Sequence, residues 1–148
     1  MIHIEKSLTM NAAPEAVWAV LQKYMHIDEF APGITAVDAL TKGEIGLGSK
    51  RRNHFVNGTS LVETVTRWQP GQGYSVALSE MAAMPLQAAN SQIRVTPVGG
   101  QARVSWSFEF QAKYGLIGWL MGQTMMRLMM GKIIMANLHG LADKAGQQ

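Results

Sequence analysis

Cysteine is absent from this chain, and charged residues make up only 16% of it. Without cysteine the protein has no disulfide, no thiolate nucleophile and no sulfur ligand for a metal. The absence is typical of a reducing compartment, and the N-terminus lacks the charged segment and apolar run of a signal peptide, so we expect a cytoplasmic protein. The length suits a single domain, 1–148.

Long apolar runs and dense basic clusters are missing as well. The most apolar segment, 116–130, is interrupted by Gln123 and Arg127, whereas a membrane-spanning helix needs about 20 predominantly apolar residues. The net charge is +3, but the only basic run is 50–52, and no aromatic residues alternate with it. We therefore expect no integral membrane span and no nucleic-acid partner.

Familiar catalytic and cofactor motifs are also missing. The four histidines include no pair at the spacing of metal ligands, and no carboxylate cluster accompanies them. The glycine-rich stretch 43–49 is not a phosphate-binding loop, because Lys50 begins a predicted strand instead of a helix. No Gly-x-Ser-x-Gly motif occurs. We predict no metal site, no cofactor and no identifiable catalytic residue.

Alternating apolar residues and turn signals predict an antiparallel meander after two short helices. Pro14 suits the first position of the first helix, and Pro32 ends the second. A long C-terminal helix is predicted over about 116–144. The predicted strands are 2–10, 34–42, 49–56, 59–69, 73–80, 86–97 and 101–112.

The register of the last hairpin follows from its turn. If Gly99 and Gly100 form a two-residue turn, the numbers of paired residues sum to 199. Val104 then faces Val95, and the same face carries Trp106, while the other face is polar on both strands. A wrong register would mix the two faces, so one side of this hairpin is predicted to be buried.

The sequence determines the register and the inward face of the hairpin around Asn57-Gly58 less clearly. A two-residue turn there would pair Arg51 with Thr64 and Arg52 with Glu63, the second pair being exposed and contributing little. The less charged face, taken as inward, comprises Arg51, Asn53, Phe55 and Thr64. Arg51 would then either contact a ligand or extend to the rim. A catalytic base, His54 or Glu63, would require the opposite face to point inward.

The long helix carries methionine on two sides. At about 100° per residue, Met126 and Met130 face the sheet, where methionine fills a core or lines a cavity. The opposite side carries an apolar surface, here called the outward patch, formed by Met121, Met125, Leu128 and Met129. Such a patch predicts a covering partner, either a second copy in a weak homodimer or another protein or membrane surface.

Several stretches are similar to one known family. "NAAPEAVWAVLQKY" (11–24), "GEIGLGSKRR" (43–52) and "LVETVTRWQPGQGYSV" (61–76) resemble the polyketide cyclase/dehydrase and lipid transport family of the START-related superfamily, also called SRPBCC. The resemblance spans nearly the whole chain. It implies an α+β helix-grip fold, with a curved antiparallel seven-stranded sheet wrapped around a long C-terminal helix and two short helices after the first strand.

The resemblance also implies a cavity between sheet and long helix that holds a hydrophobic or amphipathic small molecule, such as a lipid, polyketide or aromatic metabolite. Two alternatives stay open: an enzyme of the cyclase/dehydratase type using the same cavity, and an interaction module using the outward patch. The predicted ligand-binding residues are Arg51, Asn53, Phe55, Thr64, Tyr74, Val76, Trp106, Phe108, Phe110, Met126 and Met130.

Overall fold

One seven-stranded antiparallel sheet, in the order β1-β7-β6-β5-β4-β3-β2, carries most of the chain in the computed structural model. The structure describes residues 2–81, 86–112 and 125–147. Bulges in β2, β4 and β6 bend the sheet. The strands are β1 Ile2–Met10, β2 Ile34–Ala39, β3 Lys50–Phe55, β4 Ser60–Gln69, β5 Gly73–Ser79, β6 Leu86–Val98 and β7 Gln101–Ala112.

Three helices complete the described chain: α1 Pro14–Leu21, a 3₁₀ helix Tyr24–Glu29 and α2 Arg127–Ala145. Pro14 stands in the first turn of α1 as predicted. The long helix α2 packs on β1, β7 and α1, and a Cβ at Gly140 would lie 1.9 Å from the carbonyl oxygen of Phe30. The predicted helix-grip architecture is confirmed.

The β6–β7 hairpin has the predicted register. Val95 pairs with Val104 and Ile93 with Trp106, so the paired numbers sum to 199. Gly99 and Gly100 have φ angles of 53° and 86°, as a type I′ two-residue turn requires. The apolar members of the inward face are buried, which confirms the prediction that one face of this hairpin belongs to the core.

The predicted register of the β3–β4 hairpin is wrong by one residue. Arg51 pairs with Glu63, because the loop has three residues instead of two: the amide of Phe55 donates to the carbonyl of Thr59. Asn57 accepts hydrogen bonds from the backbone and hydroxyl of Thr59 at 3.1 and 2.6 Å, which stabilises the longer loop.

This shift changes the inward residues of β4 but not those of β3. Arg51 and Asn53 are buried as predicted, whereas Glu63 replaces Thr64 on the inward face because successive side chains alternate. The predicted exposed pair Arg52–Glu63 does not form. Arg52 instead bonds Glu80 at 2.7 Å.

The methionines at the start of α2 and in the two residues before it divide between two surfaces as the periodicity predicts. Met126 and Met130 are buried against the sheet, while Met125 and Leu128 are 68% and 71% exposed and Met129 is also exposed. Met121 and the predicted start of the helix near residue 116 lie outside the described residues. The described members of the outward patch therefore face away from the core.

Candidate ligand-binding cavity

An internal cavity of about 100 Å³ lies between the sheet and α2. Its wall is mainly apolar because the inward faces of β4 to β7 meet the buried face of the helix. The apolar lining residues are Ile27, Ile34, Phe55, Leu61, Leu78, Trp106, Phe108, Met130, Ile133 and Ile134. The polar lining residues are Asn53, Glu63, Ser91 and Asn137.

A larger groove of about 400 Å³ adjoins the inner cavity beside the β3–β4 loop. The two spaces share lining residues from β2, β3 and α2, namely Ile34, Phe55, Met130, Ile133 and Asn137. Residues that line the groove but not the inner cavity include Met126, Met129 and Val56. The two adjoining spaces differ in size, and the larger groove is lined in part by exposed residues such as Val56.

The predicted ligand-binding residues fall into three groups. Asn53, Phe55, Trp106, Phe108 and Met130 line the inner cavity, and Phe55, Met126 and Met130 line the groove. The second group is buried in the core but lines neither space, and comprises Tyr74, Val76 and Phe110. The third group comprises Arg51, which lies behind the wall, and Thr64, which points to the opposite face. Direct ligand contact stays a prediction for the first group.

Arg51 neither reaches the rim nor lines the cavity, because each of its three guanidinium nitrogens is hydrogen-bonded to a protein group. Nε and Nη2 donate to Oε1 of Glu63 at 2.8 and 2.6 Å, and Nη1 donates to the backbone carbonyl of Tyr24. The side chain is 2% exposed. Its charge is therefore paired inside the protein.

Aromatic rings enclose this ion pair. The guanidinium carbon of Arg51 lies 3.8 Å from the ring centroid of Tyr24 and 5.9 Å from that of Tyr74. The ring of Trp68 stacks on Tyr74 at 5.4 Å. Burial is the largest single influence on the pKa of Arg51 and lowers it, but the charge of Glu63, the two tyrosines and the hydrogen bond to Glu63 together raise this pKa above its usual value.

The two tyrosines remain neutral phenols in this environment. Burial is the largest cause that raises the pKa of Tyr24 and Tyr74, and the positive charge of Arg51 offsets it only in part. The hydroxyl of Tyr24 donates to the backbone carbonyl of Glu63 at 3.0 Å. The 3₁₀ helix and β4 are thereby joined at the residue that lines the cavity.

Asn53 connects the ion pair to the cavity wall. Its Nδ2 donates to Oε1 of Glu63 at 2.7 Å, so this one oxygen accepts three hydrogen bonds. The carbonyl oxygen Oδ1 of Asn53 is buried and has no hydrogen-bond partner within the described chain. A second polar link joins Trp106 Nε1 to Ser91 Oγ at 3.0 Å, and that hydroxyl donates to the carbonyl of Ser107.

The sequence matches the family model described as polyketide cyclase/dehydrase and lipid transport over residues 1–146. The chain belongs to this family. Its cavity occupies the place that the resemblance implied, between the curved sheet and the long helix. A search of curated proteins by sequence gives no match.

Solved structures share the fold of this family member at low sequence identity. The ZhuI aromatase/cyclase from Streptomyces sp. R1128 is 17% identical, with a TM-score of 0.80 and coverage of 99% of this chain and 94% of that one. XoxI from Bacillus cereus is 18% identical, with a TM-score of 0.78 and coverage of 97% and 94%. A Thalictrum flavum norcoclaurine synthase mutant, bound to a transition-state analogue, is 16% identical, with a TM-score of 0.75 and coverage of 99% and 94%.

Glu63 is the cavity residue that sequence reasoning placed on the wrong face. A three-residue loop at Asn57-Gly58 would have put it opposite Arg51. The two-residue loop also pairs Glu63 with an arginine, Arg52, so charge pairing in the sequence does not distinguish the two registers. His54 points outward as predicted and bonds Asp38 at 2.8 Å on the exposed side. The opposite faces of His54 and Glu63 exclude a cavity site that uses both.

Two further properties concern metals and membranes. No group of three histidine or acidic side chains within residues 2–81, 86–112 and 125–147 is arranged to hold a metal ion. None of the helices in those ranges has the length and apolar character needed to cross a bilayer.

Proposed function

We propose that this family member binds an apolar or amphipathic small molecule in the inner cavity and its adjoining groove. The observation that carries the proposal is an apolar chamber with a carboxylate, Glu63, in its wall. Ligand sites in proteins typically combine a mainly apolar surface with a few polar groups that orient the ligand. We also propose a cytoplasmic location, because the chain has no cysteine.

The size of the chamber limits what it holds. A cavity of roughly 150 Å³ accommodates one benzene ring, and the inner cavity measures about 100 Å³. The inner cavity is therefore smaller than the space that one ring needs. A short chain or part of a ring would occupy it, while the remainder of the molecule would extend into the groove of about 400 Å³. Met126 and Met130 supply flexible side chains that adapt to different ligand shapes.

A second candidate function is catalysis of the cyclase/dehydratase type. The observation that favours it is the ionisable pair Arg51–Glu63 at the cavity wall, since a carboxylate beside an apolar chamber can transfer protons. The ZhuI protein, named as an aromatase/cyclase, shares the fold. Recovery of a chemically altered ligand after incubation with the protein would favour this candidate over simple binding.

The test of binding combines native mass spectrometry with a fluorescent probe. Molecules that co-purify with the protein are identified first, and the neutral probe N-phenyl-1-naphthylamine is then titrated into the stripped protein. Met130→Trp fills the cavity, and Leu128→Trp, on the exposed side of the same helix, is the matched control. We expect the probe to bind the wild type and the control but not Met130→Trp.

Two results would contradict the proposal. One is absence of both a co-purifying molecule and probe binding in the wild type. The other is equal probe binding by Met130→Trp and Leu128→Trp, which would place the probe outside the cavity.

A further inference from the structure

We propose that the inner cavity selects ligands carrying a neutral hydrogen-bond donor, an alcohol or phenol, which donates to the carboxylate of Glu63. This inference rests on the proposed binding function and adds to it the chemical class of the ligand. It also replaces the expectation that Arg51 would itself contact the ligand.

The geometry of Glu63 leaves one acceptor atom for a ligand. Oε1 accepts hydrogen bonds from Arg51 and Asn53, whereas Oε2 has no hydrogen bond to any residue that the structure describes. The side chain is 13% exposed and lines the inner cavity. Because Arg51 and Asn53 hold Oε1 on one side, the orientation of the carboxylate is set before a ligand arrives.

Of the other polar lining residues, Asn53 and Ser91 present acceptors or donors already used, whereas Asn137 on α2 carries an amide with both a donor and an acceptor. Nδ2 of Asn53 donates to Glu63, and its Oδ1 is an acceptor. The indole N–H of Trp106 donates to Ser91, whose hydroxyl hydrogen is donated to Ser107. Beside Glu63 and Asn53 a ligand oxygen without a hydrogen would face acceptors, and buried polar atoms without partners cost free energy.

The charge balance favours a neutral donor over a cation. Glu63 carries one negative charge, and Arg51, bonded to it at 2.6 Å, already compensates that charge. A ligand ammonium group would add net positive charge beside a buried guanidinium, and an ionised carboxylate would face the oxygens of Glu63 and Asn53. Either ion would also lose its hydration in an apolar chamber. A hydroxyl supplies the hydrogen bond without these costs.

The test uses four bicyclic probes of similar size on the wild-type protein at pH 7. These are 2-naphthol, 2-methoxynaphthalene, naphthalene and ionised 2-naphthoate, each competing against N-phenyl-1-naphthylamine. We expect 2-naphthol to bind about tenfold more tightly than its methyl ether or naphthalene, as a hydrogen bond to a charged acceptor allows. We expect 2-naphthoate to bind least.

A double variant, Arg51→Met with Glu63→Met, removes the pair without leaving a lone buried charge. It should bind 2-naphthol and 2-methoxynaphthalene equally. If the double variant does not fold, the comparison of the four probes on the wild-type protein tests the inference by itself. Equal binding of the three neutral probes by the wild type, or preference for 2-naphthoate, would overturn the inference and leave the proposed function intact. Absence of binding by every probe, including the fluorescent one, would overturn both.

Discussion

Arg51 and Glu63 face each other across β3 and β4, and the guanidinium donates two hydrogen bonds to one carboxylate oxygen at 2.8 and 2.6 Å. The guanidinium of Arg51 lies against the ring of Tyr24 behind the wall of the cavity, and Glu63 lies in that wall. The pair has two separate consequences. Arg51 is a structural group that holds Glu63 in place, and Glu63 is the polar group that we propose a ligand contacts.

The buried pair should matter far more to stability than the exposed pair beside it. We expect Arg51→Met to lower the free energy of unfolding by about 3–5 kcal/mol, because it leaves a carboxylate without its charge partner. Arg52→Met, which removes the exposed bond to Glu80, should cost about 1 kcal/mol or less. Urea unfolding of both variants measures the difference. Similar losses of stability in the two variants would contradict the assignment of Arg51–Glu63 as the buried pair that matters more to stability.

The buried tyrosines predict a loss of stability in alkaline solution. The folded state raises the pKa of Tyr24 and Tyr74, whereas tyrosines in the unfolded chain ionise near about 10. Above that pH the unfolded state releases protons that the folded state retains, so the stabilisation present below about pH 10 decreases as pH rises.

Above about pH 10, each such tyrosine lowers the free energy of unfolding by about 1.4 kcal/mol per pH unit. Urea unfolding between pH 9 and 11 should show that the stability difference between wild type and Tyr24→Phe shifts in favour of the variant above pH 10. Lysines titrate in both proteins and cancel in this comparison. A difference that is constant with pH would contradict the prediction.

Asn53 should affect recognition of a polar ligand, whereas its neighbour should not. Asn53→Ala removes a hydrogen bond of 2.7 Å that orients Glu63, so we expect 2-naphthol to bind about tenfold more weakly. His54→Ala is the matched control, since His54 bonds Asp38 on the exposed side. Competition titrations measure both. A large effect at His54 with none at Asn53 would reverse the assignment of the inward face.

Substitution to tryptophan should distinguish cavity from close-packed core on the same helix. Met130 lines the cavity, so Met130→Trp should retain nearly wild-type stability by extending into existing space. Leu138 is fully buried and lines neither described space, so Leu138→Trp should cost about 1–3 kcal/mol or more through overpacking. Thermal and urea unfolding compare the two. Equal destabilisation would indicate a filled interior at Met130.

The outward patch predicts weak self-association, and the homodimer remains our proposal. Met125, Leu128 and Met129 are exposed on one side of α2, and burying such side chains stabilises by roughly 1.5–3 kcal/mol each. Sedimentation velocity should show a coefficient that rises with concentration for the wild type but not for Met125→Glu. His139→Glu, on an exposed position further along the helix, is the control. A monomeric wild type at all concentrations would remove the proposal.

Two hairpins show how far local sequence determines register. Gly99-Gly100 supplies the two positive φ angles of one particular turn, and the alternation of its strands agrees with a single pairing, so the register was predictable. Asn57-Gly58 is compatible with a two-residue or a three-residue loop. Contacts from outside the hairpin accompany the longer one: the backbone of Tyr24 accepts from Arg51, and its hydroxyl donates to the carbonyl of Glu63.

The sequence by itself predicted the antiparallel meander, the register of the β6–β7 hairpin and the buried face of the long helix, because alternation and helical periodicity are local patterns that many residues share. The helix-grip architecture was implied by the resemblance to a known family, and the pairing of β1 with β7 appears only in the tertiary structure. Only the tertiary structure decided that Arg51 is buried behind the wall and that Glu63 lines the cavity. Those two outcomes depend on a one-residue register and on rings brought from distant segments. The cavity itself is space left between packed side chains, and its existence depends on all of them together.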